Sequence, residues 1–159
     1  MEQKLQQPPQ EVLRDKGITA VGCIVDTDAF VRAEAFYDLI EEFSLRPNAV
    51  KIIGYKRDFD TASPYAIQMF GDKDLGKKGQ IENGYVMEFL SREYDMLINY
   101  YTDDNLMMKL LSVKTPARLR VGFGSVDAKI NDLILNTPLD DFKTFKTELK
   151  KYLTVFQEI

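Results

Sequence analysis

The hydrophobic positions of the chain form five short apolar runs separated by polar segments. Runs of about four to eight apolar residues, bounded by turn-forming residues, are typical of strands that are buried on both faces of a parallel sheet. The five predicted strands are residues 18–25, 49–56, 95–101, 117–123 and 131–137.

Between these runs, apolar residues recur at the spacing of three and four that marks one face of a helix. Several of these segments follow a residue that can accept a hydrogen bond from the first turn of a helix. The predicted helices are residues 28–44 opened by Asp28, 84–92 capped by Asn83, and 105–113 behind Asp103 and Asp104.

Proline supports two further predictions, because it is favoured at the first position of a helix. Ser63 and Pro64 predict a short helix over residues 64–70. Thr137 and Pro138 predict the start of the last helix, with Asp140 at its third position facing the exposed amides. The apolar stripe of that helix runs on to Phe156.

The alternation of strands and helices predicts the fold class. It favours a single α/β domain built as a three-layer sandwich, with a mostly parallel, Rossmann-like sheet of about five strands. Residues 1–16 contain "QQPPQ" and little periodicity, so we predict a flexible lead-in followed by one domain over residues 17–159.

The amino-acid composition limits the cellular compartments and the classes of binding partner that we expect for this chain. Of the 159 residues, 45% are hydrophobic and 29% are charged, which is typical of a globular protein. The polar N-terminus does not resemble a signal peptide, and no apolar run could span a membrane. The net charge of −4 argues against a nucleic-acid partner, and a single cysteine, Cys23, argues against a disulfide. We therefore predict a cytoplasmic protein that binds neither nucleic acid nor membrane.

The chain contains no histidine, which excludes several kinds of catalytic and metal-binding site. Ser-His-Asp and Cys-His nucleophiles and histidine-ligated zinc are excluded. Gly122 and Gly124 follow a strand, but the phosphate-binding fingerprint lacks its third glycine and the long helix behind it. We predict no cofactor, and any catalysis would depend on carboxylates, lysine, tyrosine or Mg²⁺.

Asp26 and Asp28 are the candidate catalytic residues. Apolar residues followed by Asp-x-Asp resemble the aspartate-nucleophile phosphatases, in which the first Asp attacks phosphorus and the second is the general acid. The chain departs from that pattern, because Ala29 and Phe30 replace the turn that follows the motif. The competing interpretation is that Asp28 caps a helix and Asp26 faces solvent.

Asp103 and Asp104 raise the same question at the end of another predicted strand. Together with Asp26 and Asp28 they could hold a divalent metal ion, because parallel strands place their carboxyl ends at one edge of the sheet. We favour the interpretation in which Asp103 and Asp104 start the helix that follows.

The segments "VGCIVD", "YDMLINYY", "ARLRVGF" and "NDLILNTPLDDFKTFKTELKKYL" resemble a family of short, uncharacterised proteins from Bacteroidetes-type bacteria. The resemblance begins near Ile18 and implies a single cytoplasmic α/β domain, without implying an activity. The stretch from "YDMLINYY" to "ARLRVGF" is also similar to the N-terminal Rossmann-like half of heptosyltransferase-like sugar transferases, a likeness of fold alone.

Two hypotheses for the function follow. The sequence favours a small non-enzymatic domain that binds a protein partner or associates with itself. The alternative is a divalent-metal-dependent enzyme that acts on a phosphate ester or sugar nucleotide through Asp26, Asp28, Asp103 and Asp104.

Overall fold

A computed structural model describes residues 8–10, 12–58, 65–102, 105–124 and 129–159. These residues form a six-stranded sheet in the order β3-β2-β1-β4-β5-β6, and every neighbouring pair is parallel. The strands are β1 (Val21–Asp26), β2 (Val50–Tyr55), β3 (Gln68–Phe70), β4 (Tyr94–Tyr100), β5 (Ala117–Phe123) and β6 (Leu133–Leu135). The predicted α/β class with a parallel sheet is confirmed.

Helices cover both faces of the sheet. They are α1 (Asp38–Glu42), which continues a 3₁₀ turn over Ala33–Tyr37, α2 (Gly84–Leu90), α3 (Leu106–Lys114) and α4 (Phe142–Val155). Within the described ranges, no helix is long and apolar enough to cross a membrane.

The sheet separates two hydrophobic cores. On one face, side chains of β1, β4 and β5 pack against the 3₁₀ turn and α4, where Phe36, Tyr100 and Phe145 meet edge to face. On the other face, Ile24 and Leu97 pack against α2 and α3. Burial in the first core raises the pKa of the Cys23 thiol, as expected for a cysteine that packs as a small hydrophobic side chain.

Two predicted helices are wrong. The residues predicted as a helix over 64–70 contain β3, because pairing with Ile53–Tyr55 of β2 outweighs local preference in so short a segment. Ser63 and Pro64 lie outside the described residues. The helix predicted over 28–44 is replaced by the 3₁₀ turn and α1, which together begin only at Ala33.

The predicted start of the last helix is also wrong, whereas α3 lies where a helix was predicted over residues 105–113. The last helix begins at Phe142, and its cap is Asp141, whose carboxylate accepts the amide of Thr144 at 3.1 Å. The cap of α3 is Asn105, which accepts the amide of Met108 at 3.1 Å. This asparagine takes the role that we predicted for an aspartate, and both Asp103 and Asp104 lie outside the described residues.

A close neighbour explains why residue 122, inside β5, is a glycine. A Cβ at this position would stand 2.1 Å from the side-chain nitrogen of Asn131. Asn131 accepts a hydrogen bond from Asn99 of β4 at 2.8 Å, so the missing side chain makes room for a buried polar contact. Packing against Asn131 therefore accounts for a glycine at this position inside β5.

Candidate functional site

The first candidate site lies at the carboxyl ends of β1 and β2. Asp26 ends β1 and is 7% exposed, so the prediction that it faces solvent is wrong. Its carboxylate accepts the amide of Asp28 at 3.0 Å, and its carbonyl accepts the amides of Ala29 and Phe30. These bonds close a tight turn directly after the strand.

Asp28 connects that turn to the end of β2. Its carboxylate accepts the Arg57 amide at 3.0 Å and forms an ion pair with Lys56 at 3.0 Å. The hydrogen bond from the Arg57 amide is the main cause that lowers the pKa of Asp28, and Lys56 adds to it against the effect of burial. The prediction that Asp28 caps a helix is therefore wrong, because its acceptors are used by a loop that follows another strand.

A chain of hydrogen bonds brings two further segments to this edge. The Tyr55 hydroxyl donates to Asp72 at 2.6 Å and accepts from the Asn105 side chain at 3.0 Å. Burial and the bond to Asp72 raise the pKa of Tyr55. The segment after β4 is thus held beside the end of β2, near the point where the strand order reverses between β1 and β4.

Only two of the four predicted metal ligands can be placed. Asp26 and Asp28 line one cavity of about 360 Å³ together with Tyr55, Arg57 and Asp58. No group of three or more Asp, Glu, Cys or His side chains in the described part of the chain could hold a metal ion. The proposed roles of Asp103 and Asp104 stay predictions.

A groove with a volume of about 1100 Å³ lies beside β2, along the edge of the sheet. We call it the edge groove. Residues 50–52 of β2, residues 65–69 and the first turns of α2 line it. β3 pairs with β2 only from Ile53 onward, so no described strand covers the outer side of residues 50–52.

The first half of β2 directs backbone polar groups to the side on which the groove lies. In a parallel ladder, alternate residues bond to opposite neighbours. The amide of Val21 donates to Ala49 and that of Thr27 donates to Tyr55, so the odd-numbered residues of β2 face β1. The carbonyl of Val50 and the N–H of Ile52 consequently point away from β1, to the side on which the groove lies and before the ladder with β3 begins. Both residues are buried, at 2% and 4% exposure, so only a small part of each is accessible from the groove.

Three tyrosines lie around the edge groove. Tyr37, Tyr65 and Tyr85 come from the segment before α1, the segment before β3 and the first turn of α2. All three are substantially exposed, and Tyr85 keeps 50% of its surface accessible. Tyrosine combines a large apolar surface with a hydroxyl, and it is enriched in protein interfaces for this reason.

Asp95, at the amino end of β4, was not among the predicted site residues. It is 2% exposed and accepts hydrogen bonds from Arg14, from both the hydroxyl and the amide of Thr19, and from the Ala20 amide. Burial alone raises the pKa of the Asp95 carboxyl, but these donors outweigh it and lower the pKa to about 2. A carboxylate inside a continuous apolar run was the sequence signal for this network.

The same edge of the sheet holds the described part of the lead-in. Gln10 exchanges backbone hydrogen bonds with Val113 and Ala117, and its carbonyl accepts from the buried Arg120 guanidinium. With the ion pair between Arg14 and Asp95, these bonds attach Gln10 and Arg14 to the domain. The flexibility of residues 1–16 stays a prediction, and these contacts argue against it for that part.

Comparison with models of protein families matched one family over residues 1–156, DUF6913, which is described as a family of unknown function. The searches of curated proteins and of solved structures found no match.

Proposed function

We propose a function for this chain from its own geometry, because the chain belongs to DUF6913, a family of unknown function. In this proposal the chain is a non-enzymatic interaction domain. Its edge groove binds an extended segment of a protein partner, which lies beside β2 as an added strand.

One observation carries the proposal, namely that the first half of β2 lacks a neighbour on its outer side among the described residues. The Val50 carbonyl and the Ile52 N–H are the two groups that a single residue of an added parallel strand would bond. Strand addition uses such main-chain hydrogen bonds for affinity and side-chain contacts for specificity.

The tyrosines supply the second part of the argument. A few residues carry most of the energy of a typical interface, and tyrosine is among the commonest of them. Tyr85 is the clearest test case, because its side chain is half exposed at the rim of the groove. A partner segment that covers it would bury apolar surface and also gain a hydroxyl contact.

A library of random peptides displayed on phage, selected against the immobilised protein, tests the proposal. We expect selected peptides whose binding slows hydrogen exchange at the Ile52 amide. Tyr85→Ala should weaken their binding by about tenfold or more, the usual effect of removing an interface hot spot.

Met87→Ala is the matched control, because Met87 is 61% exposed on the same helix and does not line the groove. It should leave binding unchanged. The proposal is wrong if no peptide is selected, or if the selected peptides bind Tyr85→Ala as well as the parent. A dimer that dissociates on Tyr85→Ala would instead place a second copy of the chain in the groove.

A second candidate function is the metal-dependent enzyme acting on a phosphate ester or sugar nucleotide. The observation that favours it is the strand order, because ligands of such sheets bind beyond the carboxyl ends of the strands where the order reverses. Asp26 and Asp28 lie at this edge. Hydrolysis of a phosphate ester that requires Mg²⁺ and disappears in Asp26→Asn would support this candidate over the interaction domain.

We also propose the cytoplasm as the compartment and Bacteroidetes-type bacteria as the origin of the family. The single, buried Cys23 supports the first proposal, since a reducing compartment suits a free thiol. The resemblance to sugar transferases adds nothing to function, because those enzymes bind the nucleotide sugar with a second Rossmann-like domain.

A further inference from the structure

A second cavity, of about 530 Å³, lies at the amino edge of the sheet, and we call it the basic pocket. It is lined by residues 18–20 before β1, residues 44–46, 48 and 49 around the start of β2, and residues 92–94 at the start of β4, together with Lys51. The starts of three adjacent strands therefore surround it.

The charges in this pocket are unbalanced. Arg46, Lys51 and Arg92 line it, while Glu93 is the one acidic residue among the described residues of its lining. Within the described part of the chain, Arg46 and Lys51 form no ion pair. Arg92 pairs with Glu88 at 3.5 Å, but both side chains are about half exposed, so water screens that pair.

A structural role accounts for only one of these cations. Arg92 follows the last turn of α2, where a positive charge is favourable beside the terminal carbonyls. Arg46 and Lys51 come from other segments of the chain. Gathering like charges in one cavity is unfavourable in the free protein, which makes an anionic ligand the natural counterpart.

The basic pocket adjoins the edge groove. Asn48, Lys51 and Arg92 line both cavities. The groove also contains Asp74, whose carboxylate already accepts the Gly71 amide and the Asn83 side chain. Glu88, which pairs with Arg92, also lines the groove. An extended ligand in the groove would thus meet the positive charges of Arg46 and Lys51 at the basic pocket, and near α2 two carboxylates that already have partners.

We propose that the segment bound in the edge groove is acidic where it enters the basic pocket, with aspartate or glutamate side chains, or a terminal carboxylate, facing Arg46 and Lys51. This inference rests on the proposed function and specifies the chemistry of the partner. The carboxylate is held by charge at the pocket, while the adjoining residues bond to the backbone of β2.

Two displayed peptide pools test the inference. Both carry the same randomised, strand-forming centre, and they differ only in having acidic or basic residues at both ends. We expect the acidic pool to be enriched about tenfold or more on the parent protein, with a preference that weakens as salt is added. The double variant R46E/K51E should lose the preference.

Lys143→Glu is the control, because it makes a charge reversal on an exposed position of α4, away from both cavities. It should keep the preference for acidic ends. Arg46→Glu alone, at an exposed position, gives a second measurement if the double variant does not fold.

The outcomes separate the two proposals. Equal recovery of both pools, with binding that still depends on Tyr85, would overturn the acidic partner and leave the edge groove as a peptide site. Recovery of neither pool would overturn both proposals. Loss of the preference in Lys143→Glu would assign it to the overall charge of the protein and would also overturn this inference.

Discussion

The two ends of the parallel strands use aspartate in different ways. At the amino edge, Asp95 is buried and accepts bonds from Arg14, Thr19 and Ala20. At the carboxyl edge, Asp28 is largely exposed and joins two loops through the Arg57 amide and Lys56. The first carboxylate is part of the structure that holds the chain before β1, whereas the second closes a surface turn.

This difference shows why a motif alone did not identify a site. Carboxylates at the ends of parallel strands are placed where ligands commonly bind. The carboxylates of Asp26 and Asp28 nevertheless accept hydrogen bonds from nearby backbone amides, those of Asp28 and Arg57. Among the described residues, no strand lies on the outer side of the first half of β2, and the edge groove and the basic pocket adjoin there.

The largest expected effect in this comparison comes from Asp95→Asn. The substitution removes a buried charge and leaves donors of Arg14, Thr19 and Ala20 poorly paired. We expect a loss of about 3 kcal/mol in the free energy of unfolding, or roughly 10 °C in Tm for a domain of this size. Urea and thermal denaturation measure it, and a change within error would show that the network contributes little.

Denaturation at low pH should also show the contribution of Asp95 to stability. The pKa of Asp95 falls from its ordinary value of 3.8 to about 2 in the folded protein. A lowered pKa stabilises the fold above the unfolded value, so this contribution is complete above about pH 4 and is lost as the pH falls towards 2. It amounts to about 2 kcal/mol. Denaturation at a series of pH values should show a flatter acid limb in Asp95→Asn than in the parent.

Asp28→Asn should have the smallest effect on stability. Exposed ion pairs contribute about 0–1 kcal/mol, and the asparagine oxygen can still accept the Arg57 amide. We expect a change below about 1 kcal/mol by the same denaturation measurements. A loss as large as that of Asp95→Asn would contradict the contrast between the two edges.

Much of the fold could be predicted because the central strands are continuous apolar runs. β3 could not, since three residues at the edge of a sheet form a strand only through their pairing with Ile53–Tyr55. The helix predicted behind Asp28 failed for a similar reason. Its capping group is used by Lys56 and Arg57, which the fold brings close from a distant part of the sequence.

The candidate sites were less predictable than the fold. Asp95 carried a signal, because it is a charged residue inside an apolar run and had to find donors. No such signal in the sequence indicated the edge groove. It depends on where β3 starts to pair with β2, and on side chains from three separate segments, including Tyr37 and Tyr85. The basic pocket likewise joins cations that are far apart in sequence.

Hydrogen exchange with a selected peptide bound tests most directly whether the function lies along β2 or at the carboxyl edge. If the peptide binds along β2, the Ile52 amide becomes protected, while the amides of Asp28 and Arg57, which are bonded to carboxylates in the free protein, keep their exchange rates. Changed exchange at Asp28 and Arg57, with none at Ile52, would contradict the account and place the binding site at the carboxyl edge.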